Sequence, residues 1–463
     1  MVDLTPNSSF SLTVRLELIN RAGTLAKVTK AIADVGGSLG QVSLIERNLK
    51  TIKRELQIDA SSTEHAEKIV NAIKSVSEVQ ILHVSDQTFD IHRGGKIHIQ
   101  NRISITSSSD LAMAYTPGVG RICKAIHEEP EKVFSLTIKS NSVAIVTDGS
   151  AVLGLGNLGA EASLPVMEGK SMLFKEFADI DAFPICLATQ DVEEIIKTVK
   201  NLSPVFGGVN LEDIAAPRCF EIEKRLQEEL DIPIFHDDQH GTAIVTVAAL
   251  INALKLVKKD METIRVVING AGAAGIAIAN LLNKANCTNI TLCDSKGIIS
   301  LDRSNLTPEK QFFAVEKSGL LADALVDADV FIGVSAPKVV TPEMVKSMAN
   351  DPIIFAMANP IPEIQPELIQ DIAAVIATGR SDYPNQINNV LAFPGLFRGA
   401  LDCRATTLTT EMYLQAARAI ASLVSPNVLD KEHIVPSVFD NRVATTVSAA
   451  VQQAAREAGV ARL

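Results

Sequence analysis

The sequence predicts an α/β protein: a doubly wound nucleotide-binding domain in the carboxyl-terminal half, a second α/β domain before it, and a small α+β unit of βαββαβ order at the start. Three observations predict this. The run Gly270-Ala-Gly-Ala-Ala-Gly275 stands between an apolar stretch, Ile264 to Asn269, and a helix-like stretch, Ile276 to Lys284. Thr291-Leu-Cys-Asp294 then reads as another short strand, setting Asp294 nineteen residues beyond Gly275. Toward the amino end, strand-like and helix-like periodicities alternate over the first ~85 residues.

Ser11 to Leu18 alternates apolar and polar residues, as a half-buried strand does. Asn20-Arg-Ala-Gly23 is a turn into a helix over Thr24 to Val35, with Leu25, Val28, Ile32 and Val35 on one face. Gly36-Gly37 stops it; Leu39 to Ile45 and Lys50 to Ile58 form a hairpin, Glu64 to Val76 a second helix and Val79 to Val84 a closing strand. Asp86 to Gly95 reads as a linker. Residues ~96 to 240 alternate helical and strand-like stretches around polar clusters. Past the fingerprint, Val330 to Val334, Ile353 to Ala356 and Val375 to Thr378 are apolar strands, and helices over Thr407 to Leu423 and Ala444 to Ala458 end the chain.

Gly270 supplies the tight turn, Gly272 close backbone approach and Gly275 helix–strand packing, which suit a pyrophosphate at a helix N-terminus; the domain is of Rossmann type and the ligand a nicotinamide dinucleotide. Asp294 suits a ribose hydroxyl and favours NAD, while Ser295-Lys296 can pair with a 2′-phosphate and keep NADP open. Gly154-Leu-Gly-Asn-Leu-Gly159 has the same spacing after Val143 to Thr147. The turn at Asp148-Gly-Ser150 and Pro165 argue against a long helix there, so it reads as a glycine-rich loop in another domain.

A chain of 463 residues calls for two or three domains. Forty-three basic against 54 acidic residues leave a net charge of −11, so neither nucleic acid nor an acidic membrane surface is an expected partner. The first nine residues have no basic or apolar signal region, and the longest apolar stretch, Ala243 to Val257, holds Thr246, Asn252 and Lys255, so neither secretion nor a membrane span is expected. Six cysteines without a CxxC pair fit reduced thiols in a cytoplasm.

Carboxylates concentrate at Glu212-Asp213 and in His236-Asp-Asp-Gln-His240. A few acids completed by water and substrate oxygens hold Mg²⁺ or Mn²⁺. The i,i+4 spacing of His236 and His240 admits zinc, and a solvated turn is the third reading.

Five motifs decide among these: Tyr115-Thr-Pro-Gly-Val119, Val146-Thr-Asp-Gly149 with Leu153 to Gly159, Gly169-Lys170, Leu211-Glu-Asp-Ile214 and His236 to Ala243. They stand in the order and spacing of malic enzyme. From about residue 90 the chain resembles the short-subunit bacterial form of that family, and the unit before it resembles an ACT domain, a module that binds amino acids or other small effectors, often at a dimer interface. The ACT turn keeps Gly23, with Asn20, Arg21 and Ala22 before it. The resemblance implies residues 1–88 as an ACT-like regulatory domain, 89–240 as the malic enzyme N-terminal catalytic domain and 241–463 as the NAD(P) domain with carboxyl-terminal helices.

It further implies Lys170 as general base, Tyr115 as general acid, Asp237 beside the lysine, and Glu212, Asp213 and Asp238 as ligands of Mg²⁺ or Mn²⁺. Asn359 falls at the nicotinamide and substrate, Asn389 at a substrate carboxylate, and Ala271, Gly272, Ala273 and Ala274 in the pyrophosphate turn. The implied reaction is oxidative decarboxylation of (S)-malate to pyruvate and CO₂. Malolactic chemistry with retained NAD and a non-catalytic ACT-type sensor are the alternatives, and a homodimer or higher homo-oligomer is expected. Large-subunit relatives carry an arginine where this chain has Ser150-Ala151; Arg121, Lys139 and Arg398 are candidates to replace it at the substrate.

Overall fold

The computed structural model describes residues 5–463, which divide into two compact units, one ending at His98 and one running from Ile99 to Leu463. In the first, β1 (Asn7–Ile19), β2 (Ser38–Arg47), β3 (Thr51–Ala60) and β4 (Val79–Asp86) form an antiparallel sheet of order β2-β3-β1-β4. Leu12, Val14, Leu16 and Leu18 of β1 are buried on one face, in register with Ile58 and Leu56 of β3. The helices Thr24–Asp34 and Thr63–Lys74 cover that face with Val28, Ile32, Ile69 and Ile73, the period of about 3.6 meeting the period of 2. This is the βαββαβ order read from the sequence.

The second unit contains two parallel sheets. β5 (Ser142–Thr147), β6 (Asp181–Cys186), β7 (Gly208–Leu211) and β8 (Ile234–His236) are ordered β6-β5-β7-β8. β9 (Val266–Asn269), β10 (Ile290–Asp294), β11 (Gly297–Ile298), β12 (Val330–Gly333), β13 (Ile353–Ala356) and β14 (Val375–Thr378) are ordered β11-β10-β9-β12-β13-β14, all parallel except the β10–β11 pair. Every residue of β9, β12 and β13 is buried, which is why these strands read as unbroken apolar runs. The strand order reverses between β9 and β12, the switch point at which doubly wound sheets bind ligands.

One core joins the two sheets. It includes Val143 and Ile145 of β5, Phe235 of β8 and Ile268 of β9. Phe174 packs on Phe393 and Phe397 with ring centroids 4.7 and 5.4 Å apart, and Phe397 meets Phe235 edge-on at 5.8 Å. The helix Thr242–Val257 is buried against the helices Ala273–Lys284 and Thr410–Ser422. Contrary to the expectation from its sequence, the helical run Asp237–Val257 is long and apolar enough to cross a membrane by length and composition; its packing in the core accounts for that apolarity.

The expectation that no long helix follows Gly159 is also overturned: Ala160–Ala178 is a 19-residue helix with Pro165 inside it. A proline this near the start removes one backbone donor, while the rest of the helix is held by Met167, Ser171 and Phe174 in the core. Gly275 has the close helix–strand packing expected of it. A Cβ at Gly275 would lie 1.7 Å from the Gly270 carbonyl oxygen, so only glycine lets this helix start so close to β9. Gly275→Ala is expected to cost about 1–3 kcal/mol by overpacking; a urea midpoint equal to that of the parent chain would contradict the packing described.

Candidate active site

The acids of the site sit just beyond the carboxyl ends of two neighbouring strands. Glu212 and Asp213 follow β7; Asp237 and Asp238 follow β8. Asp213 adopts a left-handed backbone (φ 53°), and its N–H donates to Asp238 Oδ2 at 2.8 Å. Asp237 to Gly241 form a single π-helical turn, a widened geometry that brings both aspartates to one side. A Cβ at Gly241 would fall 1.9 Å from Asp237 Oδ1, so a larger residue there would push the Asp237 carboxylate out of its place. Lys170 reaches the same place from the helix Ala160–Ala178. Its Nζ lies 2.6 Å from Asp237 Oδ2 and 2.9 Å from Glu212 Oε1, with the Phe393 ring centroid at 4.3 Å and only 9% of the residue exposed. Asn389 Nδ2 donates to Asp237 Oδ2 at 3.0 Å, and Asn210 Nδ2 to Glu212 Oε2 at 2.8 Å.

Four carboxyl groups face one ammonium here, and the imbalance sets the electrostatics. Burial works to lower the Lys170 pKa, but the charges of Asp237 and Glu212 outweigh it and hold the lysine above its ordinary value. Burial pushes the Glu212 carboxyl well up, and Lys170 only partly opposes this. Asp213 is pushed up to about 7, by burial first and then by Asp238. Oxygens of Glu212, Asp213 and Asp238 lie within 4.8 Å of one another, and Asp213 Oδ2 is buried with no hydrogen-bond partner among the described residues. Excess negative charge, hard oxygen donors and an orphaned buried oxygen fit a divalent cation. Neither histidine belongs to this group: His236 Nε2 is 3.9 Å from Asp238 Oδ2, and His240 turns away to Glu223.

A family model described as the malic enzyme NAD binding domain matches residues 239–456, one described as the malic enzyme N-terminal domain matches 94–192 and 188–227, and one described as an ACT domain matches 6–83. The chain is 52% identical over 464 residues to the NAD-dependent malic enzyme of Geobacillus stearothermophilus, covering 99% of this chain and 97% of that one. The chain belongs to the malic enzyme family. It is 57% identical over 391 residues to a bifunctional malic/malolactic enzyme of Bacillus subtilis, covering 82% of this chain and 95% of that one. The solved malic enzyme of Pyrococcus horikoshii superposes with a TM-score of 0.77 at 47% identity, over 80% of this chain and 88% of that one. Other relatives are named NADP-dependent malic enzymes, and the match spans about half of their length.

Of the residues that the malic enzyme motifs single out, Lys170, Glu212, Asp213, Asp237, Asp238 and Asn389 meet in one cluster. Asn359 follows β13 at a cis bond to Pro360, and a Cβ on Gly154 would lie 3.7 Å from its carbonyl oxygen, so the glycine-rich loop abuts the Asn359 loop. Tyr115 ends the short helix Ser108–Ala114, is 66% exposed, and its hydroxyl makes no hydrogen bond among the described residues. Two of the candidates for the missing arginine are engaged elsewhere. Lys139 Nζ is buried against the carbonyls of Ser203, Pro204 and Phe206 at 2.6, 3.2 and 2.8 Å, where it closes the end of the helix Val192–Leu202. Arg398 is held by Asp402 at 2.7 Å and by Asn141 at 2.6 Å. Arg121 is exposed on the helix Val119–Glu128. Ser150 ties the loop down: its Oγ donates to Asp148 and accepts the Ala215 N–H at 2.9 Å.

Sequence reading missed Glu223. On the helix Arg218–Glu229 it shares a buried face with Cys219, Ile222 and Leu226, and an acid within such a stripe was the available signal. Its Oε1 accepts the His236 N–H at 2.9 Å, and Oε2 accepts from Gln239 Nε2 at 2.9 Å and lies 3.0 Å from His240 Nε2. It therefore grips the π turn from behind. Glu223→Gln sets an amide donor against these donors and is expected to cost about 1–3 kcal/mol in urea unfolding; an unchanged midpoint would show that the grip is immaterial.

Asp213 also yields a pH dependence. Its folded pKa is raised, so its contribution to stability is present below its ordinary value of 3.8 and is lost as pH rises through about 7. A divalent cation that binds the ionised acids is then expected to raise the melting midpoint more at about pH 8 than at about pH 5. Equal Mn²⁺-induced shifts at both pH values in a thermal melt would rule these acids out as ligands.

Proposed function

We propose that this chain catalyses the divalent-metal-dependent oxidative decarboxylation of (S)-malate to pyruvate and CO₂, with reduction of NAD(P)⁺. The observation that carries this is Lys170, buried against Asp237 and Glu212 beside three convergent acids, in the same compact unit as the dinucleotide fingerprint. Glu212, Asp213 and Asp238 would hold Mg²⁺ or Mn²⁺, and Gly270 to Gly275 would take the pyrophosphate. When bound, such a cation would supply Lewis-acid polarisation of the C2 oxygen of malate and the dinucleotide a hydride acceptor for C2.

Lys170 takes the C2 hydroxyl proton. It does so once the charge of its acidic neighbours is balanced, because Asp237 and Glu212 otherwise keep it protonated. Asn389, bonded to Asp237, faces a substrate carboxylate, and Asn359 fixes the nicotinamide side. The resulting β-keto acid loses its C4 carboxylate as CO₂, and the C3–C4 electron pair passes into an enolate. Tyr115 then donates a proton to C3 of the enolate so formed, giving pyruvate.

Tyr115 reaches this cluster from a second copy of the chain. The segment around it is unusually apolar for a free surface: Ile99 is 87% exposed, and Ile103, Ile105, Leu111 and Met113 are exposed as well. A homodimer or higher homo-oligomer covers that segment and delivers the phenol. The ACT unit acts as the regulatory part, responding to a small effector.

Malolactic turnover is the second reading, favoured by the malic/malolactic relative. It uses the same residues with the reduced cofactor retained, so malate consumption without net NADH marks it. Lys170→Ala is expected to slow malate oxidation in the presence of Mn²⁺ by about 10²- to 10⁴-fold, read from nicotinamide absorbance. Refolding Lys170→Ala together with Tyr115→Phe subunits is expected to regain activity that neither has alone. A Lys170→Ala enzyme working at the parental rate ends the assignment.

A further inference from the structure

Glu363 is a carboxylate sealed in the second unit without a cation. It is fully buried and makes no ion pair among the described residues. Two backbone amides hold it instead: Oε1 accepts the Ser335 N–H at 2.9 Å and Oε2 the Ala358 N–H at 3.0 Å. Burial raises this carboxyl, and the two amides oppose that rise. Burying an acid without a counter-charge is unfavourable. What it provides here is geometry: two inward-facing N–H groups need two acceptor oxygens, and a carboxylate has both where a glutamine has one.

Those amides belong to loops at the carboxyl end of the dinucleotide sheet. Ser335 stands two residues past β12, and Ala358 stands two residues past β13, next to Asn359. Gly333, the last residue of β12, leaves room for the acid: a Cβ there would lie 2.4 Å from Glu363 Cδ and displace it. Asn269, the last residue of β9, donates from Nδ2 to Ser335 Oγ at 2.7 Å. The ends of β9, β12 and β13, on both sides of the strand-order reversal, are therefore joined in one network through Glu363. The loop after β14 closes on Asn359 from elsewhere, since a Cβ at Gly379 would fall 2.6 Å from Asn359 Nδ2. Once Glu363 has fixed Ala358, the Asn359 amide has little room to move.

Resting on the dinucleotide reading above, we propose that Glu363 is a positioning residue for the nicotinamide end of the site. Fully buried, it touches neither cofactor nor substrate. It acts through Ala358 on Asn359, and through Ser335 on the loop past β12. A misplacement of about 1 Å transmitted in this way is enough to cost about 10²-fold in rate. The fingerprint turn starts from β9, which its pairing with β10 and β12 holds without Glu363. The adenosine diphosphate part of the dinucleotide therefore does not depend on this acid.

Titration of the full-length chain with NADH and with ADP-ribose, which differs only in lacking the nicotinamide, tests this without turnover. In the parent chain NADH is expected to bind the more tightly. Glu363→Gln, equal in size but with one acceptor oxygen, is expected to weaken NADH at least about tenfold while ADP-ribose stays within about threefold. Gly333→Ala, which crowds the carboxylate and leaves it charged, is expected to move the ratio in the same direction, and it is decisive if Glu363→Gln does not fold. An acid that merely stabilises the fold lowers the melting midpoint and leaves the ratio of the two affinities at its parental value. That result overturns the proposal, and so does a parent chain that binds the two ligands alike. If the parent chain binds neither ligand, the dinucleotide reading itself falls and this inference falls with it.

Discussion

A single ammonium group, Lys170 Nζ, lies buried between Asp237 and Glu212, and the acids around it outnumber it. Removing one partner of such a buried pair typically costs about 3–5 kcal/mol, because the other charge is left without water or counter-ion. Three separate elements must therefore stay in place together: the helix Ala160–Ala178, the end of β7 and the π turn after β8. The same arrangement leaves surplus negative charge, with Asp213 pushed up to about 7 by burial and Asp238. A fold that concentrates uncompensated carboxylates in this way is stable with protons or a cation on them, and this ties the binding capacity of the site to its stability.

The supports behind that cluster are of two kinds. Aromatic packing of Phe174 on Phe393 and Phe397 fixes the lysine-bearing helix against the helix Phe393–Asp402, while Phe393 also offers its ring face to the ammonium. Polar support comes from Glu223, which satisfies the His236 N–H and the side chains of Gln239 and His240, with His240 stacked on Tyr413 at 4.7 Å. The apolar contacts set the distance between the two sheets, and the polar ones set the orientation of the two aspartates.

At the dinucleotide end, another buried acid has a matching role. Glu363 accepts the Ser335 N–H at 2.9 Å and the Ala358 N–H at 3.0 Å, clamping the loops that follow β12 and β13. Asn269 Nδ2 donates to Ser335 Oγ at 2.7 Å and adds the end of β9 to the same network. Three loops at the switch point of the sheet are thus tied together beside Asn359. Burial raises the Glu363 carboxyl, and the amides donated to it work the other way.

By itself the sequence determined the elements and the family motifs. Alternation in Leu12 to Leu18, the unbroken apolar runs of β9, β12 and β13, and the glycines from Gly270 to Gly275 are local patterns, set by which faces of each segment must be buried and how closely backbones approach. Only the tertiary structure decided which distant groups meet. Lys170 and Asp237 are 67 residues apart, Asn389 and Asp237 are 152 apart, and no periodicity records such pairings. The helix through Pro165, the engagement of Lys139 with three carbonyls and the grip of Glu223 on the π turn were hidden for the same reason: each depends on what packs against the residue, not on its chain neighbours. The end of β10 shows the difference most directly. The spacing of Asp294 identifies an acid at the end of β10, but its partners Arg303 and Lys310 come from the segment beyond β11, and only the way that segment folds back shows that the acid is already neutralised.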